Sequence, residues 1–257
     1  MSSSDLTRPE TLYQQVAQRL RQDIDTGKYM PGDLLPSEPQ LSRHYNVSRQ
    51  TVRQAIAVLR AEGLLEVEQG RGTFVRQPPL RLRLNRYARH TRQPGAGPFE
   101  ATCARLGIPG YGELVLVEQR AAQDAIAEGL EVPAGTEIVY RRRYMHAGED
   151  DAIVQIQEGH LPLNLVENTL LARPEKVTDG TYAALDAIGH GPEQVTEEVT
   201  ARMPTHSEAT VFRAKTGVPV IQVIRTTRDK HGHVVELLYV TAVADQNVFL
   251  YENLPIT

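Results

Sequence analysis

Between Leu35 and Ile56 the chain reads Leu-Pro-Ser-Glu-Pro-Gln-Leu-Ser-Arg-His-Tyr-Asn-Val-Ser-Arg-Gln-Thr-Val-Arg-Gln-Ala-Ile, and this stretch constrains the fold more than any other. Ser37 followed by Gln40 is a capping box that starts a helix, with Pro39 in its first turn, where a missing N–H costs nothing. Asn46-Val47 turns the chain, and Ser48 caps a second helix whose Val52, Ile56 and Leu59 recur at helical spacing. The opening turn of that helix leaves Arg49, Gln50, Thr51 and Arg53 with nothing apolar to pack on. Side chains of these types at a helix N-terminus suit base edges and phosphates. They would equally suit a solvated helix face, so the neighbouring elements have to decide.

Those neighbours point one way. Leu12, Val16, Leu20 and Ile24 repeat every four residues and predict a preceding helix with one apolar stripe, stopped at Gly27. After Gly63, Leu65 and Val67 alternate with Glu66 and Glu68 as a strand does. Gln69-Gly70-Arg71-Gly72 then turns, and Thr73-Phe-Val75 returns. Three helices and a two-stranded hairpin make a winged helix-turn-helix. A glycine tip lets backbone approach DNA closely, and Arg71 there offers a cation to a phosphate or the minor groove.

The net charge of −4 hides a division that fits this reading. Residues 1–94 carry 15 Lys and Arg against 9 Asp and Glu, a net of +6, whereas residues 95–257 carry 13 against 23, a net of −10. One end is matched to a polyanion. At 257 residues two domains are expected. A single cysteine, Cys103, excludes an internal disulfide framework and fits a reducing cytoplasm. The first residues lack the apolar core of a signal peptide, and no apolar run is long enough to span a bilayer, so no membrane association is expected. The histidines show no metal-ligand spacing, and no cofactor is expected.

Leu12-Tyr-Gln-Gln-Val, Gly27-Lys-Tyr-Met-Pro-Gly-Asp-Leu-Leu-Pro-Ser-Glu, Val47-Ser-Arg-Gln-Thr-Val-Arg-Gln-Ala and Gly70-Arg-Gly-Thr-Phe-Val75 resemble the DNA-binding domain of the GntR family of bacterial repressors. The resemblance implies operator contacts from Ser48, Arg49, Gln50, Thr51 and Arg53, with Gln69, Gly70 and Arg71 at the wing. It fails at one point: Pro39 stands where the family usually has a phosphate-contacting arginine, which puts one backbone contact in doubt.

Residues 77–98 change character. Prolines and glycines bracket an arginine-rich run, as in a linker. Leu80, Leu82 and Leu84 alternate with Arg81 and Arg83, which would suit a short docking strand. Arg86, Arg89 and Arg92 recur at helical spacing and could either attract DNA or pair with the acidic second domain.

Residues 99–257 read as an α+β domain built on an antiparallel sheet. Strands are expected over 113–120, 137–145, 152–160, 193–203, 218–228 and 234–244, with helices over 124–130, 181–188 and from a capping box at Thr205-x-x-Glu208 to Thr216. A helix, a glycine turn, an arginine-bearing strand and a glycine hairpin occur around 124–148 and again around 207–232. Placing Gly135 over Gly217 puts Arg143 over Arg225, so duplicated halves would share one sheet.

Val132-Pro-Ala-Gly-Thr, the arginine strand and Gly232-His-Val-Val-Glu236 resemble the effector (UTRA) domain of the HutC subfamily, which is related in fold to chorismate lyase. The resemblance implies a small-molecule effector and a homodimer acting on a double-stranded DNA operator. Arg141 and Arg143 share one side of their strand and would suit an anion, with Glu158, Glu236 and Tyr239 as hydrogen-bonding partners. The same arginines and glutamates could instead pair with one another and leave a purely dimerising domain. Gly159-His160 stands where the family usually has Ser-Tyr, implying altered ligand chemistry. An enzyme is not expected, because no catalytic triad, metal spacing or paired-carboxylate arrangement accompanies the fold.

Overall fold

The computed structural model describes residues 10–77, 81–85 and 97–252. Two compact units divide the chain close to residue 80. Arg86, Arg89 and Arg92 lie outside the described residues.

The first unit contains α1 (Leu12–Asp25), α2 (Glu38–Tyr45), α3 (Arg49–Ala61), β1 (Leu65–Glu68) and β2 (Gly72–Val75). The stripe on α1 delivers Val16, Ala17 and Leu20 to the core, while Leu12 stays exposed at the helix start. Leu41 from α2 and Val52, Ala55, Ile56 and Leu59 from α3 complete it with Leu35, Leu65 and Val75. Each fully buried leucine contributes roughly 1.5–3 kcal/mol. Asn46 takes the left-handed conformation, φ 53°, that ends α2 and sets the turn into α3. β1 and β2 pair antiparallel, Leu65 opposite Val75. The segment before α2 adds to this hairpin, with Leu35 N–H donating to Thr73 O at 2.8 Å.

The second unit begins with β3 (Leu82–Asn85) and α4 (Pro98–Arg105). A first set follows: β4 (Gly110–Ala121), α5 (Asp124–Leu130), β5 (Glu137–Ala147) and β6 (Ala152–Pro162). After α6 (Leu163–Val166), a 3-10 turn (Leu170–Ala172) and α7 (Thr181–Ala187) comes a second set: β7 (Pro192–Arg202), α8 (His206–Phe212), β8 (Val220–Asp229) and β9 (Val234–Val243). β10 (Asn247–Leu250) ends the described fold. The six long strands form one antiparallel sheet in the order β4-β5-β6-β9-β8-β7.

That order is the duplication legible in the sequence. Each half runs strand, helix, strand, hairpin, strand, and the halves meet at β6 and β9. Both helices end on a left-handed residue, Glu131 (φ 56°) and Arg213 (φ 48°). α8 stops at Phe212 rather than Thr216, because Arg213 already reverses the chain.

Residues 82–85, in the stretch read as a linker with a short docking strand, form β3, which pairs in parallel with β10. The physical reason is the leucine alternation. Leu82 and Leu84 are buried with Phe99, Cys103 and Met145, while Arg81 and Arg83 face solvent. β10 and α4 were not anticipated.

Two faces of the sheet differ. On the first, α5 packs Ala127 and Leu130 on Ile138 and Leu237. On the second, α6, the 3-10 turn and α7 bring Val166, Leu171 and Leu185 onto Val139 and Leu161. Phe249 of β10 covers Val223, Leu238 and Val240 further along the same face.

Candidate functional site

At the start of α3, Ser48 Oγ accepts the Thr51 backbone N–H at 3.1 Å and lies 2.8 Å from the Thr51 hydroxyl. The cap leaves Arg49 and Gln50 exposed, without a hydrogen-bond partner among the described residues, beside the partial positive charge of a helix N-terminus. Arg53, one turn on, is 63% exposed and forked onto Glu38, Nη2 to Oε2 at 3.0 Å. At the hairpin tip Gln69, Gly70 and Arg71 are all exposed. Gly70 has φ 78° and Gly72 has φ 125°, values that disfavour any side chain. Arg71 pairs with Glu68, and its guanidinium lies 5.6 Å from the Phe74 ring. The eight residues, all exposed but the half-buried Thr51, therefore form two groups, one on α3 and one on the hairpin tip.

In the second unit the sheet separates the five residues that the sequence grouped. Arg141, Arg143 and Glu236 lie on the second face. Glu158 and Tyr239, opposite each other in the β6–β9 register, point to the first face with Arg142. Alternation of side chains along β5, β6 and β9 makes the separation unavoidable.

The first-face group is a closed network. Arg142 Nη2 donates to Glu158 Oε1 at 2.7 Å, and the Tyr140 hydroxyl donates to the same oxygen. Burial and the Glu158 carboxylate push the Tyr140 hydroxyl up to about 12. His160 is buried and held neutral-leaning, its pKa lowered chiefly by burial. With Nδ1 3.1 Å from Leu237 O, a carbonyl that can only accept, Nε2 is left as acceptor toward Arg120 Nη2 at 3.4 Å. Arg120 stacks 3.7 Å from the Tyr140 ring centre, and Tyr239 meets His160 edge-on at 5.5 Å.

The second face is different in kind. Arg141 is 5% exposed and donates from Nη1 to Leu171 O (2.6 Å) and Arg173 O (2.9 Å), and from Nη2 to Glu175 O (2.8 Å). It staples the 3-10 turn to the sheet. Burial and the neighbouring Arg143 lower its pKa to about 10, against the opposing pull of Glu236. Among the described residues Arg143 makes one hydrogen bond, Nη2 to Gln157 Oε1 at 3.0 Å. Arg225, from β8, is bound by Glu197 of β7 at 2.6 Å and donates to the Tyr182 hydroxyl at 3.3 Å. Tyr182 sits 2.9 Å from Thr227 Oγ1. Glu236 is 2% exposed and makes no hydrogen bond with a described residue. Burial raises its pKa, although Arg143, Arg225 and Arg141 all act to lower it. Of the three guanidiniums on this face, Arg141 and Arg225 are committed to protein acceptors, and Arg143 keeps donors beyond its bond to Gln157.

Residues 12–75 match the family described as bacterial regulatory proteins, gntR family, and residues 111–246 match the UTRA domain. The chain belongs to the GntR family. Its pairing of a GntR helix-turn-helix with a UTRA domain is the HutC-type architecture, and these are domains of DNA-binding transcriptional regulators, not enzymes. Among GntR relatives, the chain is 26% identical over 232 residues to the transcriptional repressor NagR of Bacillus subtilis strain 168, covering 89% of this chain and 88% of that one. A protein of Escherichia coli K12 named as a fructoselysine utilization operon transcriptional repressor is 32% identical over 154 residues, 60% of this chain and 59% of that one. A crystal structure described as that of a GntR-family transcriptional regulator superposes with a TM-score of 0.73 at 30% identity, covering 96% of this chain and 99% of that chain. No helix among the described residues is long and apolar enough to cross a membrane.

Sequence reasoning about this GntR chain passed over Arg225, Glu197, Tyr182 and Thr227. The internal echo carried the signal for Arg225, since it set that residue over Arg143. Tyr182 had none, because only the packing of α7 brings it to β8.

Proposed function

We propose that this GntR regulator is a ligand-responsive repressor that binds an inverted-repeat operator as a homodimer. Arg49, Gln50, Thr51 and Arg53 read or hold the major groove, with Ser48 fixing the helix start and Gln69, Gly70 and Arg71 approaching the adjacent groove or backbone. Half-sites lie about one helical turn apart or less. The observation that carries this reading is the capped, solvent-facing first turn of α3 with unpartnered Arg49 and Gln50. The repressor names of NagR and of the Escherichia coli relative support the direction of control.

In the same reading residues 1–76 bind DNA, 77–98 connect, and 99–257 bind effector and dimerise. The effector is a small anion held on the second face of the sheet by Arg143, with Arg141 and Glu236 beside it. Glu158 and Tyr239 serve the opposite face as packing and hydrogen-bonding groups. Ligand binding shifts the population of arrangements able to engage both half-sites.

The test is anisotropy of a labelled fragment of the protein's own promoter region. Arg49→Ala and Arg53→Ala should each reduce specific binding at least tenfold; unchanged binding would remove α3 from the interface. A second reading, a purely dimerising UTRA domain, is favoured by the saturation of Arg141 with backbone carbonyls. Thermal-shift screening against anionic metabolites separates the two. A ligand at a hundred times its Kd adds about 2.7 kcal/mol of stability, and a broad panel without any shift would favour the second reading.

A further inference from the structure

Three amide side chains follow one another from Arg143 to the start of β10. Gln157 Oε1 accepts from Arg143 Nη2 at 3.0 Å, and Gln157 Nε2 donates to Gln155 Oε1 at 3.2 Å. Gln155 Nε2 donates to Asn247 Oδ1 at 2.8 Å. Asn247 Nδ2 then donates to Val154 O at 3.1 Å and to Val243 O at 2.9 Å. Gln155 is 1% exposed and Asn247 2%.

The two ends fix the direction of the whole chain. A guanidinium only donates and a backbone carbonyl only accepts, so each amide between them has one orientation that satisfies both its neighbours. Turning any one over would set oxygen against oxygen, or N–H against N–H. Buried amides of this kind are tolerated only while every member is satisfied.

The far end lies where β10 begins. Asn247 stands opposite Leu82 in the β3–β10 pairing, and the Leu82 N–H donates to Gln246 O at 2.8 Å. β3 opens the second unit, directly after the division near residue 80. Two paired strands of four residues each are marginal by themselves, so this pairing leans on the anchoring of Asn247 and the burial of Leu82 and Leu84. At the near end, an anion that grips Arg143 bidentately by either fork engages Nη2, the nitrogen given to Gln157.

We propose that Gln157, Gln155 and Asn247 are positioning residues, a polarised relay that couples the hydrogen bonding of Arg143 to the pairing of β3 with β10. Withdrawing Nη2 leaves Gln157 without its donor. Gln155 and then Asn247 lose their fixed partners in turn, and the start of β10 loosens together with β3. Use of the relay by a ligand rests on the effector-site reading above, whereas the coupling of Arg143 to β3 does not.

Hydrogen–deuterium exchange of the full chain tests the coupling, read by mass spectrometry on peptides covering residues 82–85 and, as reference, 220–229. Arg143→Met and Gln157→Met should each speed exchange over 82–85 at least about threefold relative to the reference. In the Gln157→Met background, Arg143→Met should add less than about 1.5-fold, because the relay is already cut. Arg142→Met breaks a bond to Glu158 on the opposite face and should leave 82–85 unchanged. The inference is overturned if Arg143→Met has no effect on 82–85, if the two effects multiply independently, or if Arg142→Met acts as strongly. Inorganic phosphate, acetate and citrate serve as anion probes on the native chain. A probe whose affinity falls in Arg143→Met should also speed exchange over 82–85, and one that binds there without doing so overturns the inference. Coupling among the variants with none of these anions bound counts against the effector-site reading and leaves the relay standing.

Discussion

Arg53 of α3 is held by Glu38, the first residue of α2, through Nη2–Oε2 at 3.0 Å and Nε–Oε1 at 3.3 Å. The pair fixes the fork of an otherwise exposed guanidinium and so sets the direction in which it is presented. Glu38→Gln is expected to lower the ratio of operator to scrambled-fragment affinity about fivefold, an effect of about 1 kcal/mol on recognition. Arg71→Ala should instead weaken both fragments alike and reduce the slope of log affinity against log salt by about 1. Equal losses on both fragments with Glu38→Gln would mean that the pair does not orient Arg53 for recognition.

Ser48 gives a stability prediction in the same helix. Its hydroxyl accepts the Thr51 N–H at 3.1 Å, so Ser48→Ala leaves a first-turn donor to water and should cost about 1 kcal/mol. Ser48→Gly should cost only a few tenths by the same principle. Urea denaturation followed by far-ultraviolet circular dichroism measures both, and the order of the two variants is the check.

Arg141 and Arg143 are neighbours in sequence type with opposite structural duties. Arg141→Met leaves the buried Leu171 carbonyl and the less buried Arg173 and Glu175 carbonyls without their charged donor, and roughly 3 kcal/mol of stability should be lost. Arg143→Met removes one partly exposed hydrogen bond and should stay within about 1 kcal/mol. Similar losses for the two would contradict the stapling role of Arg141.

Acid should unfold the second unit through identified carboxylates. Burial alone would raise Asp229, but His190 Nδ1 at 2.8 Å and the N–H groups of His231 and His233 outweigh it and hold the group at about 2. Arg202, aided by the N–H of Thr205, holds Glu208 at about 2 as well. Both folded values are depressed, so this stability is fully present above the unfolded values, about 4. It is lost as pH falls toward 2. The Asp229→Asn variant should therefore show a flatter fall in thermal midpoint between about pH 4 and pH 2 than the native chain. A parallel fall would remove Asp229 from the acid transition.

Local chemistry explains why so many of the elements in both units were readable. Capping boxes at Ser37 and Thr205, the Asn46 turn and the glycines of the hairpin each act within a few residues, and each formed where its pattern lay. The leucine alternation at residues 82–84 specified a strand but not its partner. β10 supplies that partner from more than 160 residues away, and neither strand would be stable unpaired.

What the sequence determined by itself was therefore the set of elements, the duplication of the sheet, and the exposed cluster at the start of α3. Each depends on periodicity or on a cap. Only the tertiary structure decided which polar side chains meet. Strand register sent Glu158 and Tyr239 to one face and Arg141, Arg143 and Glu236 to the other. The packing of the turn at residues 170–172 then used up Arg141 and left Arg143 with spare donors. Pairing across strands and burial under a loop are set by contacts between distant residues, and a local pattern carries no record of them.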